Sequence, residues 1–237
     1  MIRQFSRFTS SGPGLEKTLR LIQALAQIVS ALSVEATTAA RWGVAKSQLG
    51  LTRRYFRFFN FIEFFGSAYN LVLGTEANLG VFSLIQVGKW SCLGLYTVLE
   101  DLTLLDAMGV WSAPWNQAVF IEANKFWFYA LSLSILGSVY ELAFASGGPT
   151  QKPVSEKPKS ASEKPGKKEK ATKQAPATEQ KVSKKNIIKQ IVISGCDLMI
   201  PGSLLGWTPM GSETVGMAMV LSTMLQLPDL WAKAQGN

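Results

Sequence analysis

A long lysine- and proline-rich stretch, residues 150–185, limits how this chain can fold. It contains eleven lysines, four glutamates and four prolines and almost no large apolar side chain. Such a segment lacks the apolar surface that offsets the entropy lost on ordering, so we predict a disordered basic linker. The linker carries +7 of the net charge of +8. It separates an N-terminal helical membrane region, 1–149, from a C-terminal region, 186–237.

The two regions beside the linker show helical periodicity and no strand-like alternation of useful length. Glycine, proline and asparagine separate six predicted helices at about 13–33, 39–73, 81–107, 114–145, 186–200 and 213–231. Ser10 or Ser11 is the predicted cap of the first helix. We therefore predict an all-α, membrane-associated bundle of about six helices, in which 186–237 forms a hydrophobic helical hairpin.

The second predicted helix, 39–73, combines a basic stripe with bulky apolar side chains. Lys46, Arg53 and Arg57 share one helical face. At a bilayer surface, cations meet anionic lipid phosphates and aromatic rings enter the acyl boundary, so we interpret this helix as amphipathic and interfacial. The alternative is a core helix with a solvated basic edge. The predicted membrane-binding residues are Trp42, Lys46, Leu49, Arg53, Arg54, Phe56, Arg57, Phe58, Phe59, Ile62 and Phe65.

Membrane-spanning helices are harder to identify, because a span needs about 20 largely apolar residues. No uncharged run exceeds 15 residues, and the runs at 126–140, 198–212 and 214–228 have that length. These lengths fit buried helices, interfacial helices or oblique hairpins better than independent spans. The best candidate span is 215–231, bracketed only by Glu213 and Asp229.

The composition argues against most catalytic chemistry. The chain has no histidine, which removes the commonest general base and the commonest zinc ligand. There is no phosphate-binding glycine loop and no nucleophile–base pair. We therefore predict that the protein is not an enzyme and that it has no catalytic residue, metal site or cofactor. The lysine run lacks interleaved aromatic residues, so we also predict no nucleic-acid binding.

Four segments, in this order, resemble the peroxin-eleven family of peroxisomal membrane-elongation proteins. They are QLGLTRRYFRFFNFIEFF (48–65), NKFWFYALSLSILGSVYEL (124–142), DLMIPGSLLGW (197–207) and ETVGMAMVLSTMLQLPDLW (213–231). The resemblance implies residence in the peroxisomal membrane and an amphipathic helix, in the N-terminal half, that bends the bilayer. It also implies self-association, and elongation that precedes recruitment of the dynamin-type fission machinery. On the matching positions, the curvature helix carries Lys46, Arg53, Arg54 and Arg57.

We therefore expect a protein that binds anionic lipid headgroups and bends the bilayer, promoting peroxisome elongation, proliferation and fission. Two alternatives remain open: an adaptor that recruits fission proteins without bending, and a peroxisomal membrane channel for small solutes. The channel alternative depends on charges within apolar helices, which often mark a pathway. Those charges are Lys89, Glu100, Asp101, Glu122, Lys125 and Asp197.

Overall fold

A computed structural model describes residues 2–74, 80–144 and 184–236, and within these ranges the chain forms helices and no strands. The helices are α1 (Ile2–Ser10), α2 (Gly12–Leu32), α3 (Ala36–Phe56), α4 (Asn60–Gly74), α5 (Val81–Leu102), α6 (Leu104–Ala107), α7 (Asn116–Phe144), α8 (Lys184–Leu204) and α9 (Ser212–Gln235). The all-α prediction is confirmed. The predicted linker lies outside the described residues, except for Lys184 and Lys185, which begin α8.

The first turn of α2 follows the sequence signals closely. The Ser11 hydroxyl accepts a hydrogen bond from the Gly14 N–H at 3.2 Å, and Pro13 occupies the first turn. The predicted cap is therefore confirmed at Ser11. The sequence analysis missed α1, a short amphipathic helix whose buried Phe8 packs its ring 5.3 Å from the Trp231 ring of α9.

The single helix predicted over 39–73 is wrong, because the chain breaks it into α3 and α4. Arg57, Phe58 and Phe59, which we call the joint, connect the two helices. Phe59 adopts a left-handed backbone with φ of 67°, which is uncommon outside glycine. Its N–H donates to the Asp101 carboxylate at 3.3 Å. A contact from α5 thus replaces the hydrogen bond that a continuous helix would have made.

The prediction that 215–231 is the best membrane span is also wrong. Among the described residues, two helices are long and apolar enough to cross a membrane, α7 and α8. α9 has a lower mean hydropathy than a candidate span needs, because polar side chains such as Ser222, Thr223 and Gln226 interrupt its apolar residues. Only a small share of the apolar part of α7 and of α8 is buried inside the protein. Most of both helices is therefore available to lipid.

The long helices form a ring of six helical units, which agrees with a bundle of about six helices. α2 packs against α3 and α9, α8 packs against α9 and α7, and α5 packs against α7 and α4. Because α3 and α4 are joined end to end, they count as one bent unit, which closes the ring between α2 and α5. α8 and α9 therefore belong to the same helical assembly as the N-terminal helices.

Most buried side chains of the ring are small or polar, with a few larger apolar ones such as Ile193 and Met219, and many large apolar side chains lie on the outer surface. The fully buried side chains are small or polar, among them Thr97, Ser194 and Ser222. Large apolar side chains such as Leu84 and Phe144 are well exposed on the outer surface. Polar groups facing the interior of a helical assembly, with apolar groups facing out, suit a lipid environment.

Candidate membrane-binding site

A cavity of about 1470 Å³, open to the outside, lies between the helices of the ring, and we call it the polar cavity because many charged side chains line it. Every long helix contributes residues to its wall. The charged side chains that line it are Glu16, Lys17, Arg20, Lys46, Arg53, Arg54, Arg57, Glu63, Glu100, Asp197, Asp229 and Lys233. The basic stripe predicted on the second helix therefore points into this cavity.

Arg53 of α3 is bound to α2 through Glu16 and Gln23. Its guanidinium lies 2.7 Å from a Glu16 carboxylate oxygen and donates to the Gln23 side-chain carbonyl at 2.7 Å. Burial alone would raise the pKa of Glu16. The positive charges of Arg53 and Lys17 outweigh that effect and lower the pKa from 4.5 to about 2. Glu16 is therefore ionised at neutral pH and links α2 to α3.

Arg54 and Arg57 reach the opposite neighbour, α5, and share one carboxylate. Arg57 donates to Glu100 at 2.9 Å, and the Arg54 guanidinium lies 3.5 Å from the same oxygen. The Tyr96 hydroxyl also donates to Glu100, at 3.0 Å. Arg57 lies over the Tyr96 ring and Arg54 over the Phe120 ring, with distances of 5.9 and 5.6 Å to the ring centroids.

Lys46 differs from the three arginines because it has no hydrogen bond or ion pair with another described residue. Burial against the cavity wall lowers the pKa of its ammonium group. The sequence prediction that Lys46, Arg53 and Arg57 share one face is confirmed, because all three line the cavity.

The apolar members of the predicted site lie mostly on the outer surface. Leu49 is half-buried, and Phe65 packs part of its ring against Gly94 of α5, where any side chain would collide with it. Phe59 and Ile62 are 56% and 61% exposed. Trp42 is also exposed, near the start of α3. Phe56 is exposed and also borders the polar cavity. We call the following set the aromatic row: Phe56, Phe58, Phe59, Ile62, Phe65 and Tyr69.

The sequence pattern indicated Glu100 and Asp197 only as charges of a possible pathway, and it did not indicate Glu16, Arg20 or the ion pairs that these residues form. Arg20 of α2 is 5% exposed, forms an ion pair with Asp197 of α8 and donates to Ser222 of α9 at 3.0 Å. Glu16 and Arg20 lie one turn apart, and with Lys17 they are the charged residues of α2. Charges in a helix of a membrane protein usually have a partner on another helix, and this signal could have revealed Glu16 and Arg20.

Two of the charges considered for a solute pathway, Glu122 and Lys125, pair with each other on α7. Lys125 donates to Glu122 at 2.6 Å, three residues earlier on the same helix. Both side chains lie on the surface of the protein and do not line the polar cavity.

Comparison with known proteins identifies the family. The family model described as Peroxisomal biogenesis factor 11 (PEX11) matches residues 2–231, nearly the whole chain. Comparisons with curated proteins and with solved structures gave no match. The apolar outer surface and the two candidate spans agree with the membrane location that the family implies. The chain therefore belongs to the peroxisomal biogenesis factor 11 family, whose members are peroxisomal membrane proteins that act in peroxisome biogenesis and proliferation.

Proposed function

We propose that this protein bends the peroxisomal membrane by inserting the aromatic row of α3 and α4 into one leaflet, and that this bending promotes elongation and fission. The observation that carries the proposal is the outward position of the row. Phe58, Phe59 and Ile62 form an exposed apolar surface around the joint. Rings at this position would enter the acyl boundary and expand one leaflet relative to the other.

The energetics favour the aromatic row over the basic stripe as the source of membrane affinity. Each ring contributes roughly 1.5–3 kcal/mol when fully inserted, whereas each lysine or arginine near an anionic surface contributes about 1 kcal/mol. Arg53, Arg54 and Arg57 also have carboxylate partners on neighbouring helices of the bundle. Headgroup binding by these arginines remains part of the proposal and requires release from those partners.

The first test uses the full chain, reconstituted with anionic liposomes and examined by electron microscopy. The wild-type protein should draw the liposomes into tubules. A variant with Phe58→Ser, Ile62→Ser and Tyr69→Ser should lose tubulation and bind more weakly in a flotation assay, because three exposed apolar groups no longer enter the bilayer. Arg53→Glu with Arg57→Glu is a poorer test, because it places carboxylates against Glu16 and Glu100 and disturbs the fold.

A matched control replaces three exposed apolar residues elsewhere, with Val34→Ser, Val44→Ser and Val110→Ser. This variant should still form tubules. Equal loss in both variants would mean that general surface hydrophobicity, rather than the aromatic row, causes bending. Round vesicles with the wild-type protein would contradict the proposal and favour the adaptor alternative. Self-association and recruitment of the dynamin-type fission machinery remain predictions of the same scheme.

The polar cavity favours a second candidate function, the passage of small polar solutes. Its volume of about 1470 Å³ exceeds that of many small metabolites, and its wall is rich in charge. Release of a trapped carboxylate from reconstituted vesicles would support a channel. Tubulation without release of carboxylates, sugars or salts would reject the channel and leave membrane bending as the function.

A further inference from the structure

We propose that Glu100 and Asp101 form a latch that holds the joint against α5, and that phosphate groups of anionic lipids open the latch by displacing these carboxylates from the arginines. The inference rests on the bending function proposed above and adds the step that controls it. With the latch closed, the protein is a ring whose basic stripe faces the polar cavity. With the latch open, α3 and α4 are free to leave the ring and lie on the bilayer.

The two acids hold three features of the joint at once. Glu100 accepts hydrogen bonds from Arg57 at 2.9 Å and from Tyr96 at 3.0 Å, with Arg54 at 3.5 Å. Asp101 accepts the Phe59 N–H at 3.3 Å and thereby stabilises the left-handed backbone at that residue. The side chain of Glu100 is 9% exposed, whereas those of Arg54 and Arg57 are 21% and 23% exposed, so an anion can approach the arginines while Glu100 still binds them.

The position of the latch on α5 makes it dependent on the arginines. Glu100 and Asp101 lie in the last turn of α5, which contains no basic residue. Carboxylates are unfavourable at a helix C-terminus, where the helix dipole is negative. Arg54 and Arg57 offset this repulsion from across the joint. A competing anion that removes the arginines therefore leaves the acids in an unfavourable place and weakens the closed state.

Lipid phosphate is a suitable competitor for Glu100. The planar guanidinium group binds phosphate in the same two-pronged manner as carboxylate. The Arg57 Nε is buried without a hydrogen-bond partner, so one further donor is free for a phosphate oxygen. The aromatic row begins beside these arginines, so inserted rings would bring Arg54 and Arg57 to the depth of the headgroups.

The latch also accounts for the difference between the sequence pattern and the fold. Helical periodicity continues through 39–73 without interruption, yet the chain breaks at the joint. The break is maintained by Asp101 and Glu100, which lie on another helix. Once those contacts are lost, the segment can form the continuous amphipathic helix that its own sequence favours.

The first experiment weakens the latch in the full chain with Glu100→Gln and Asp101→Asn. Each charge-assisted hydrogen bond corresponds to about a tenfold change in an equilibrium, and the two substitutions weaken at least one at each acid, so tubulation should need at least about tenfold less protein. The matched control is Glu122→Gln, which neutralises an acid of the exposed ion pair on α7 and should leave tubulation unchanged. Circular dichroism in detergent checks that all three proteins remain helical.

The second experiment locks the latch. Phe59→Cys with Asp101→Cys, in a background of Cys92→Ser and Cys196→Ser, places a cysteine pair across the joint. The oxidised protein should leave vesicles round, and reduction of the same sample should restore tubules, so misfolding cannot produce the result. Anionic vesicles should slow formation of the disulfide. An equal slowing by soluble inorganic phosphate would overturn the role of the lipid.

The two proposals fail in different ways. If the wild-type protein forms tubules but the Gln/Asn variant and the oxidised lock form them equally well, the latch is wrong and membrane bending stands. If no form of the protein deforms vesicles, bending is wrong and the latch fails with it.

Discussion

α3 and α4 are consecutive helices from one stretch of helical sequence, yet they face different surroundings. α3 directs Lys46, Arg53 and Arg54 into the polar cavity, where the two arginines contact carboxylates. α4 has a single acid, Glu63, no basic residue, and large apolar side chains on the outer surface. The comparison indicates that the charge of this segment stabilises the fold, whereas its apolar residues are the part available to the membrane.

The ion pairs of α3 belong to a larger set of polar contacts that connect neighbouring helices of the ring. Arg53 links α3 to α2, and Arg57 links α3 to α5. Arg20 links α2 to α8 through Asp197 and to α9 through Ser222. A ring with a polar centre has little apolar core, so these contacts take a structural role that a compact soluble bundle gives to leucine and phenylalanine.

The largest effect should follow from removing a cation of α3. Arg53→Ala leaves Glu16 beside the cavity with only Lys17, 3.5 Å away, as a partner. Breaking a buried pair from one side is strongly destabilising, so we expect the free energy of unfolding in detergent to fall by about 3 kcal/mol. Thermal and chemical unfolding followed by circular dichroism will measure the change.

Arg41→Ala is the matched control for this prediction. Arg41 lies on the same helix, is exposed and does not line the polar cavity. Its replacement should change stability by no more than about 0.5 kcal/mol. Equal losses in the two variants would show that the cavity side of α3 is not specially stabilising, and the comparison between α3 and α4 would collapse.

A somewhat smaller effect should appear when pH is lowered. The pKa of Glu16 falls from 4.5 to about 2 in the folded protein. The stabilisation from its ionised form is therefore fully present above pH 4.5 and is lost as pH falls toward 2. A shift of this size corresponds to at most roughly 3 kcal/mol, and the effect is smaller because the pair borders a polar cavity.

Glu16→Gln provides the measurement of that pH effect. The variant should be less stable than the wild-type protein at pH 7, and the difference should shrink between pH 4.5 and pH 2.5. Glu63→Gln on α4 is the comparison, because Glu63 has no ion pair among the described residues. A constant difference between the Glu16 variant and the wild-type protein at all pH values would contradict the assigned role of the carboxylate.

The local sequence predicted the helices and the faces of α3, but not what those faces meet. Helical spacing places Lys46 and Arg53 on one stripe whether the stripe faces lipid headgroups or a polar cavity, because both are polar surroundings. The partners are distant in the chain: Glu16 is 37 residues from Arg53, and Asp197 is 177 residues from Arg20. The break between α3 and α4 could not be predicted for the same reason. Asp101, which accepts the Phe59 N–H at the joint, lies 42 residues further along the chain.

The smallest expected effect compares two glycines, one on each helix. A methyl group at Gly66 of α4 would meet no atom within 4 Å, whereas one at Gly50 of α3 would lie 3.1 Å from the Gln23 amide nitrogen. Gly66→Ala should therefore raise the free energy of unfolding by about 0.5–1 kcal/mol, the usual gain in a helix interior. Gly50→Ala should give no gain, because Gln23 is held by Arg53 and cannot move without weakening that contact. Unfolding in detergent will measure both variants. If Gly50→Ala stabilises the protein as much as Gly66→Ala does, α3 is packed no more tightly against its neighbour than α4 is against solvent or lipid, and the division of roles between the two helices must be revised.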